Sequence, residues 1–177
     1  MVISLALGLL LLRLVAGLTI AAHGAQKLFG WFEGPGISKL AKGFQAQGFK
    51  PALLWVILVI LGEFGGGLSV ALGFLTPLGV AGMFGAMFMA IFKSHWKNGF
   101  FNSKRGLEFP LSLLGMAVAI GLTGPGSYSL DALFGIALPH PWLFLVLAAA
   151  ALLVDIIGLM ISHPAVVAPA EVKPSAS

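Results

Sequence analysis

The chain has 177 residues, of which 59% are hydrophobic and only 9% are charged, and its formal net charge is +4. A water-soluble domain carries about a quarter charged residues, so this composition excludes that class and indicates one membrane domain. The sequence has no cysteine, which excludes disulfides, thiolate metal sites and iron–sulfur clusters within the chain. It also contains no dinucleotide glycine fingerprint and no nucleotide-binding loop, and we expect no nucleic-acid partner.

Apolar runs recur at lengths close to the roughly 20 residues with which a helix crosses the hydrocarbon core of a bilayer. The runs are 2–22, 52–75, 78–92, 107–122 and 142–161. The first has no positive charge before its apolar stretch, so we interpret it as a retained helix and not as a signal peptide. The pattern predicts an all-α integral membrane protein of four or five transmembrane helices, the fourth run being short.

Lysine and arginine are distributed unequally between the two sides that five spans would create. One side receives Lys27, Lys39, Lys42, Lys50, Lys93, Lys97, Lys104, Arg105 and Lys173. The loops on the other side contain no lysine or arginine. Because basic residues near helix ends stay in the cytoplasm, we predict that the N-terminus lies outside and the C-terminus in the cytoplasm.

Two further segments lie outside the spans. In 37–49, the apolar residues Ile37, Leu40 and Phe44 recur near helical spacing, which predicts a short helix on the membrane surface held by anionic lipid. The last segment, 164–177, consists mainly of proline, alanine, valine and serine. It is too short and irregular to build a core, so we predict a disordered tail.

Three ionisable residues fall inside the apolar runs, where a charge is costly unless it has a partner. They are Arg13, Glu63 and Asp155. Counted from the predicted helix ends, all three lie at a similar depth, which predicts a buried ion pair between Arg13 and one or both carboxylates. A proton-relay or substrate role remains as the alternative. Gly62 and Gly66 flank Glu63 at a spacing that favours close helix packing.

The cytoplasmic helix ends bring together a second group of polar and aromatic residues. Its polar members are His23, Gln26, His95 and Glu108, and its aromatic members include Trp31 and Phe100. They predict a shallow pocket with an aromatic rim, although interfacial histidines and tryptophans also occur simply as anchors of helix ends. No short ligand spacing such as H-x-x-x-H is present, so we expect no metal site.

Four segments resemble successive motifs of the DoxX family. They are 23–36, 63–67, 98–108 and 124–131, and the resemblance extends from about Leu5 to Leu133. It implies a four-helix bundle in a bacterial or archaeal inner membrane, with a relationship to the DoxD subunit of thiosulfate:quinone oxidoreductase. We predict a DoxX-like membrane domain at 1–135. An additional transmembrane helix at 136–163 and the tail at 164–177 depart from the four-helix unit of the family, and the helix suggests docking to a partner.

Three hypotheses about function follow. In the first, the resemblance implies a membrane subunit of a quinone-linked respiratory oxidoreductase complex, in which a diffusible quinone enters from the lipid bilayer. Its ring would be bound by His23, Gln26, His95, Trp31 and Phe100, while Glu108 exchanges protons as the catalytic residue. In the second, the chain is a non-catalytic anchor or assembly subunit. In the third, it transports a small molecule or anion with Arg13 as the substrate charge, although no internal duplication is visible.

Overall fold

The computed structural model of the chain describes residues 2–162, which form helices joined by short loops. The helices are α1 (Val2–Phe29), α2 (Gly36–Ala46), α3 (Ala52–Leu72), α4 (Thr76–Asn98), α5 (Glu108–Thr123), α6 (Leu130–Leu133) and α7 (Trp142–Ile161). The predicted disordered tail, 164–177, lies outside the described residues.

Four of these helices, α1, α3, α4 and α7, are long and apolar enough to cross a membrane. The fifth apolar helix, α5, has 16 residues. At 1.5 Å per residue it is about 24 Å long, which is shorter than a hydrocarbon core of about 30 Å. The predicted all-α membrane architecture of four spans and a further helix is therefore confirmed, with α5 as the short member.

Two helices extend beyond their predicted ends at the side that carries the lysines. α1 continues past Ala22 to Phe29, so the polar residues after Ala22 are part of the helix. α4 runs to Asn98 through a π-helical turn at Ile91–His95. Because α1 extends further than predicted, its residues lie opposite other residues of α3 than the sequence suggests. The buried charges therefore have other partners than predicted.

Glycine allows the backbones of α1 and α3 to touch. A Cβ atom added at Gly17 would lie 2.5 Å from the backbone nitrogen of Ala71, and one added at Gly67 would lie 2.6 Å from that of Ala21. Real side chains cannot approach so closely, so only glycine permits this contact. Close approach of this kind is a main source of helix association in lipid, where neighbouring helices gain no hydrophobic burial.

We expect Gly17→Leu to destabilise the bundle by about 2–3 kcal/mol, because the new side chain would push α1 away from α3. Gly8 provides a matched control on the same helix, since a Cβ there meets no atom within 4 Å. Gly8→Leu should change stability by less than about 0.5 kcal/mol. Unfolding of the purified proteins in mixed detergent micelles measures both values. Equal losses of stability in the two variants would show that the close contact at Gly17 does not determine the stability of the bundle.

The core includes residues from every long helix. Its buried members are Ala16, Ile20, Val70, Val80, Met83, Met87, Leu113, Ala117, Ile120, Phe144 and Ala148. Phe144 of α7 fits against Gly121 of α5, where an added Cβ would lie 2.5 Å from the phenyl ring. One face of α7 is therefore packed into the bundle, while Val146, Leu153 and Met160 remain exposed on the helix.

The two ends of the bundle differ in chemistry. At one end, which we call the Asp131 end, the loop before α6 folds onto the turn between α3 and α4, and the Asp131 N–H donates to the carbonyl oxygen of Gly73 at 2.8 Å. At the opposite end, the lysine end, α2 packs against α1 and the first turns of α3. There the Lys93 ammonium donates to the Ser162 hydroxyl at 2.7 Å.

Asp131 forms the N-terminal cap of α4. Its carboxylate is 3% exposed and accepts hydrogen bonds from the backbone N–H groups of Leu75, at 2.7 Å, and Thr76, at 3.0 Å. A third bond comes from the Thr76 hydroxyl at 2.7 Å. These bonds supply partners for donors at the start of α4 that have none within the helix, so the carboxylate joins two loops distant in sequence.

Candidate functional site

The predicted site residues at the end of α1 have local partners. The His23 ring packs against Phe109, with 5.3 Å between ring centroids. The Gln26 side-chain amide donates to the backbone carbonyl of Phe32 at 3.3 Å, which fixes the loop after α1. Trp31 is 56% exposed. These three side chains therefore lie at the end of α1 and line neither of the two cavities described below.

The predicted residues beyond α4 stabilise their own loop. His95 Nδ1 lies 2.7 Å from the carbonyl oxygen of Arg105, and Glu108 accepts a hydrogen bond from the backbone N–H of Asn102 at 2.9 Å. Phe100 is 51% exposed. Each polar group predicted to bind a quinone has a local contact of this kind. None of the six predicted residues lines either of the two cavities described below, and their quinone-binding role stays a prediction.

The buried charges also have partners other than those predicted. Glu63 forms an ion pair with Lys27, and the Arg13 guanidinium donates a hydrogen bond to the backbone carbonyl of Tyr128. The Oδ2 atom of Asp155 is buried and has no hydrogen-bond partner within the described part of the chain. The predicted ion pair of Arg13 with Glu63 or Asp155 is therefore wrong.

The register between α1 and α3 explains this correction. Gly24 packs against Phe64, and Gly17 packs against Ala71. Extended along the two antiparallel helices, this register places Lys27 level with Glu63 and Arg13 level with the turn after α3. The prediction assumed that α1 ends near Ala22 opposite the start of α3, whereas α1 continues to Phe29. That assumption placed Arg13 and Glu63 at the same depth, whereas the two residues lie several residues apart along the helices.

A cavity with several ionic groups in its lining, the lysine pocket, lies beneath α2 and has a volume of about 260 Å³. The polar side chains that line it are Lys27, Lys39, Gln47, Glu63, Lys93 and Ser94. Glu63 is 2% exposed, and its Oε2 atom has no hydrogen-bond partner among residues 2–162. A buried carboxylate with one paired and one free oxygen can accept a further hydrogen bond or a proton.

A larger apolar cavity, the membrane groove, runs between α3, α4 and α7 and has a volume of about 470 Å³. Exposed residues such as Leu61 and Leu78 line it, so the groove opens on the surface that faces lipid. Among its lining residues, Asp155 and Trp55 each have a buried polar atom without a partner in the described chain. Four residues line both cavities: Phe44, Val59, Ala86 and Met89.

The described residues contain no group of three or more histidine, aspartate and glutamate side chains that could hold a metal ion. The two cavities are the candidate sites for an organic ligand. The lysine pocket supplies ionic groups, and the membrane groove supplies apolar walls. Since four residues line both, the two cavities are neighbours, one at the lysine end and the other on the lipid-facing surface.

Comparison with known proteins places these cavities in a family context. A family model described as DoxX matches residues 8–96, about half of the chain. The inner membrane protein YqjF of Escherichia coli (strain K12) is 34% identical over 106 residues, which cover 59% of this chain and 78% of that protein. No solved structure matches the chain. Every residue that lines the lysine pocket lies within the matched segment, whereas Asp155 lies beyond it.

Proposed function

Since the chain belongs to the DoxX family, we propose that it is a subunit of a quinone-linked oxidoreductase complex and binds the quinone ring in the lysine pocket. It is a multi-pass inner-membrane protein by family and by its apolar helices. The observation that supports the proposal is that a pocket with ionic groups in its lining lies next to an apolar groove open to lipid. An isoprenoid quinone has the same division into a polar ring and an apolar tail.

The ring would enter through the groove and stop at the pocket. Lys27 uses one ammonium hydrogen on Glu63, which leaves donors for a quinone carbonyl oxygen. Phe44 and Met89, which line both cavities, provide apolar contacts where the ring meets its tail. The tail would then lie along the groove, where it exchanges with lipid without crossing a polar surface.

Reduction of a quinone to a hydroquinone requires two electrons and two protons. The free oxygen of Glu63 is the group best placed to pass protons to the ring, in place of Glu108, which holds its own loop. The electrons would come from a redox-active partner subunit. This chain would then bind the quinone and pass protons to it. With the lysine end in the cytoplasm, as the basic residues predict, those protons would be taken from the cytoplasmic side.

Gly43 offers a direct test, because it lines the lysine pocket and a Cβ there meets no atom within 4 Å. We expect Gly43→Leu to fill part of the pocket and to weaken binding of a tritiated short-chain ubiquinone about tenfold or more. Gly115→Leu is the matched control, since Gly115 also faces open space and lines neither cavity. A scintillation proximity assay on the purified proteins measures both affinities.

Three further variants distinguish the lysine pocket from the histidines that the sequence predicted to bind quinone. His23→Ala and His95→Ala should bind quinone as the unmodified protein does, because neither residue lines the pocket. Glu63→Gln should lower quinone-dependent turnover of the purified complex more than it lowers binding. If Gly43→Leu binds quinone normally and turnover persists in both pocket variants, the proposal fails and the chain is a non-catalytic anchor.

A further inference from the structure

Asp155 presents a carboxyl group to the membrane groove that the proposed quinone site does not use. The residue is 8% exposed, and its Oδ2 atom has no hydrogen-bond partner within residues 2–162. It lies where α7 packs on α4, since a Cβ added at Gly85 would be 3.5 Å from that oxygen. A buried carboxyl group surrounded by hydrocarbon is costly unless it is paired, so its environment favours a partner.

No charged partner comes from the walls of the groove. The residues that line it include no lysine, arginine or histidine. The Ser69 hydroxyl already donates to the carbonyl oxygen of Phe74 at 2.5 Å, and the Trp55 indole N–H, a neutral donor, has no partner among residues 2–162. The acidic groups in its lining consist of Asp155 alone. The charge of the groove is thus complementary to a cation, and only an apolar cation could reach it through the lipid-facing opening.

An aromatic residue adds to this complementarity. The Trp55 indole packs against Gly158, one helical turn from Asp155, and both Trp55 and Asp155 line the groove. A tryptophan ring near a carboxylate suits an organic cation, which gains from the ring face as well as from the negative charge. Leu58, Leu78 and Val154 supply apolar surface for the remainder of such a ligand.

From this arrangement we propose that the membrane groove binds lipophilic cations, such as amphiphilic amines or organic onium ions, with Asp155 as the counter-ion. The ligand enters from the bilayer, places its charged centre beside Asp155 and buries its apolar groups between α3, α4 and α7. This site does not depend on the quinone proposal, because Asp155 is not among the residues of the lysine pocket.

Tetraphenylphosphonium is a suitable probe, and tetraphenylborate has nearly the same shape with the opposite charge. We expect saturable binding of the phosphonium to the purified protein and a loss of about tenfold or more in Asp155→Asn, which keeps the shape but removes the charge. Glu33→Gln is the matched control, because Glu33 is an exposed carboxylate that does not line the groove. The Asp155→Asn change should not weaken the binding of tetraphenylborate.

A second variant keeps the test decisive if Asp155→Asn folds poorly. Gly65 lines the groove, and a Cβ there meets no atom within 4 Å, so Gly65→Leu should occupy the space and weaken phosphonium binding to a similar extent. Gly115→Leu should leave binding unchanged. Absence of phosphonium binding to the unmodified protein, or equal binding to Asp155→Asn, would overturn the proposal. So would a dimer that is lost in Asp155→Asn while cation binding stays the same, since Asp155 would then contact a second copy.

Discussion

Replacing Asp131 by alanine is expected to lower the free energy of unfolding by about 3–5 kcal/mol. Three donors at the start of α4 lose their acceptor, and two of them are backbone N–H groups that have no alternative partner in the helix. The nearby Arg13 guanidinium also loses a negative charge that acts on it through space. The loss can be measured by unfolding the purified protein in mixed detergent micelles.

Glu108→Ala provides the comparison for Asp131→Ala. Glu108 also accepts a backbone hydrogen bond, from Asn102, but this contact is exposed and single. Its removal should cost less than about 1 kcal/mol, because water replaces an exposed partner. Asp131→Asn, which keeps one acceptor oxygen, should fall between the two. Similar losses in all three variants would mean that the carboxylate does not hold the α4 cap.

The second large effect is expected for Arg13→Leu, at about 3–5 kcal/mol, because Arg13 is fully buried and its guanidinium holds the Tyr128 carbonyl. Loss of this group should detach the loop before α6 from α1. A double-mutant cycle identifies its partners. Combined with Asp131→Asn, the two losses should be non-additive by more than about 0.5 kcal/mol, since the two charges interact.

The same cycle with Glu63→Gln should instead be additive to within about 0.5 kcal/mol. Arg13 lies beside Gly73, ten residues along α3 from Glu63, which corresponds to about 15 Å. A clear coupling between Arg13 and Glu63 would restore the ion pair that the sequence predicted. It would also contradict the register observed between α1 and α3.

The membrane class and the helices could be predicted from sequence because both depend on local composition. Apolar runs of the right length leave few alternatives, and the glycine spacing beside Glu63 correctly indicated close packing. A Cβ at Gly62 would lie 2.6 Å from the carbonyl oxygen of Gly82. The end of α1 was harder to place, since polar residues after Ala22 are equally typical of a loop and of a helix that emerges from the membrane.

The side-chain partners could not be predicted, because they depend on the rotation and register of helices distant in sequence. His23, His95 and Glu108 were correctly assigned to one end of the bundle, but nothing local indicates that they face different neighbours. Lys27 belongs to the same cytoplasmic helix end and shares a face of α1 with His23, four residues earlier. That spacing does not indicate its ion pair with Glu63, which depends on how α1 and α3 are aligned.

Asp131 illustrates the same limit at the other end of the bundle. The sequence placed it in a glycine- and proline-rich loop and within a family motif, yet its role as the cap of α4 is not local. The residues that it binds, Leu75 and Thr76, lie more than fifty positions earlier in the chain. Only the three-dimensional arrangement shows that the loop returns to the turn between α3 and α4.

A photoreactive quinone tests the central claim most directly, because it reports where the ring binds and not only whether it binds. The purified protein would be irradiated with an azido-ubiquinone, digested, and mapped by mass spectrometry. We expect labels on peptides that line the lysine pocket, within 39–44 and 86–94, and their loss in Gly43→Leu or with excess unlabelled quinone. Labelling confined to the loop at 99–108, or labelling of the pocket peptides that Gly43→Leu leaves unchanged, would contradict the account.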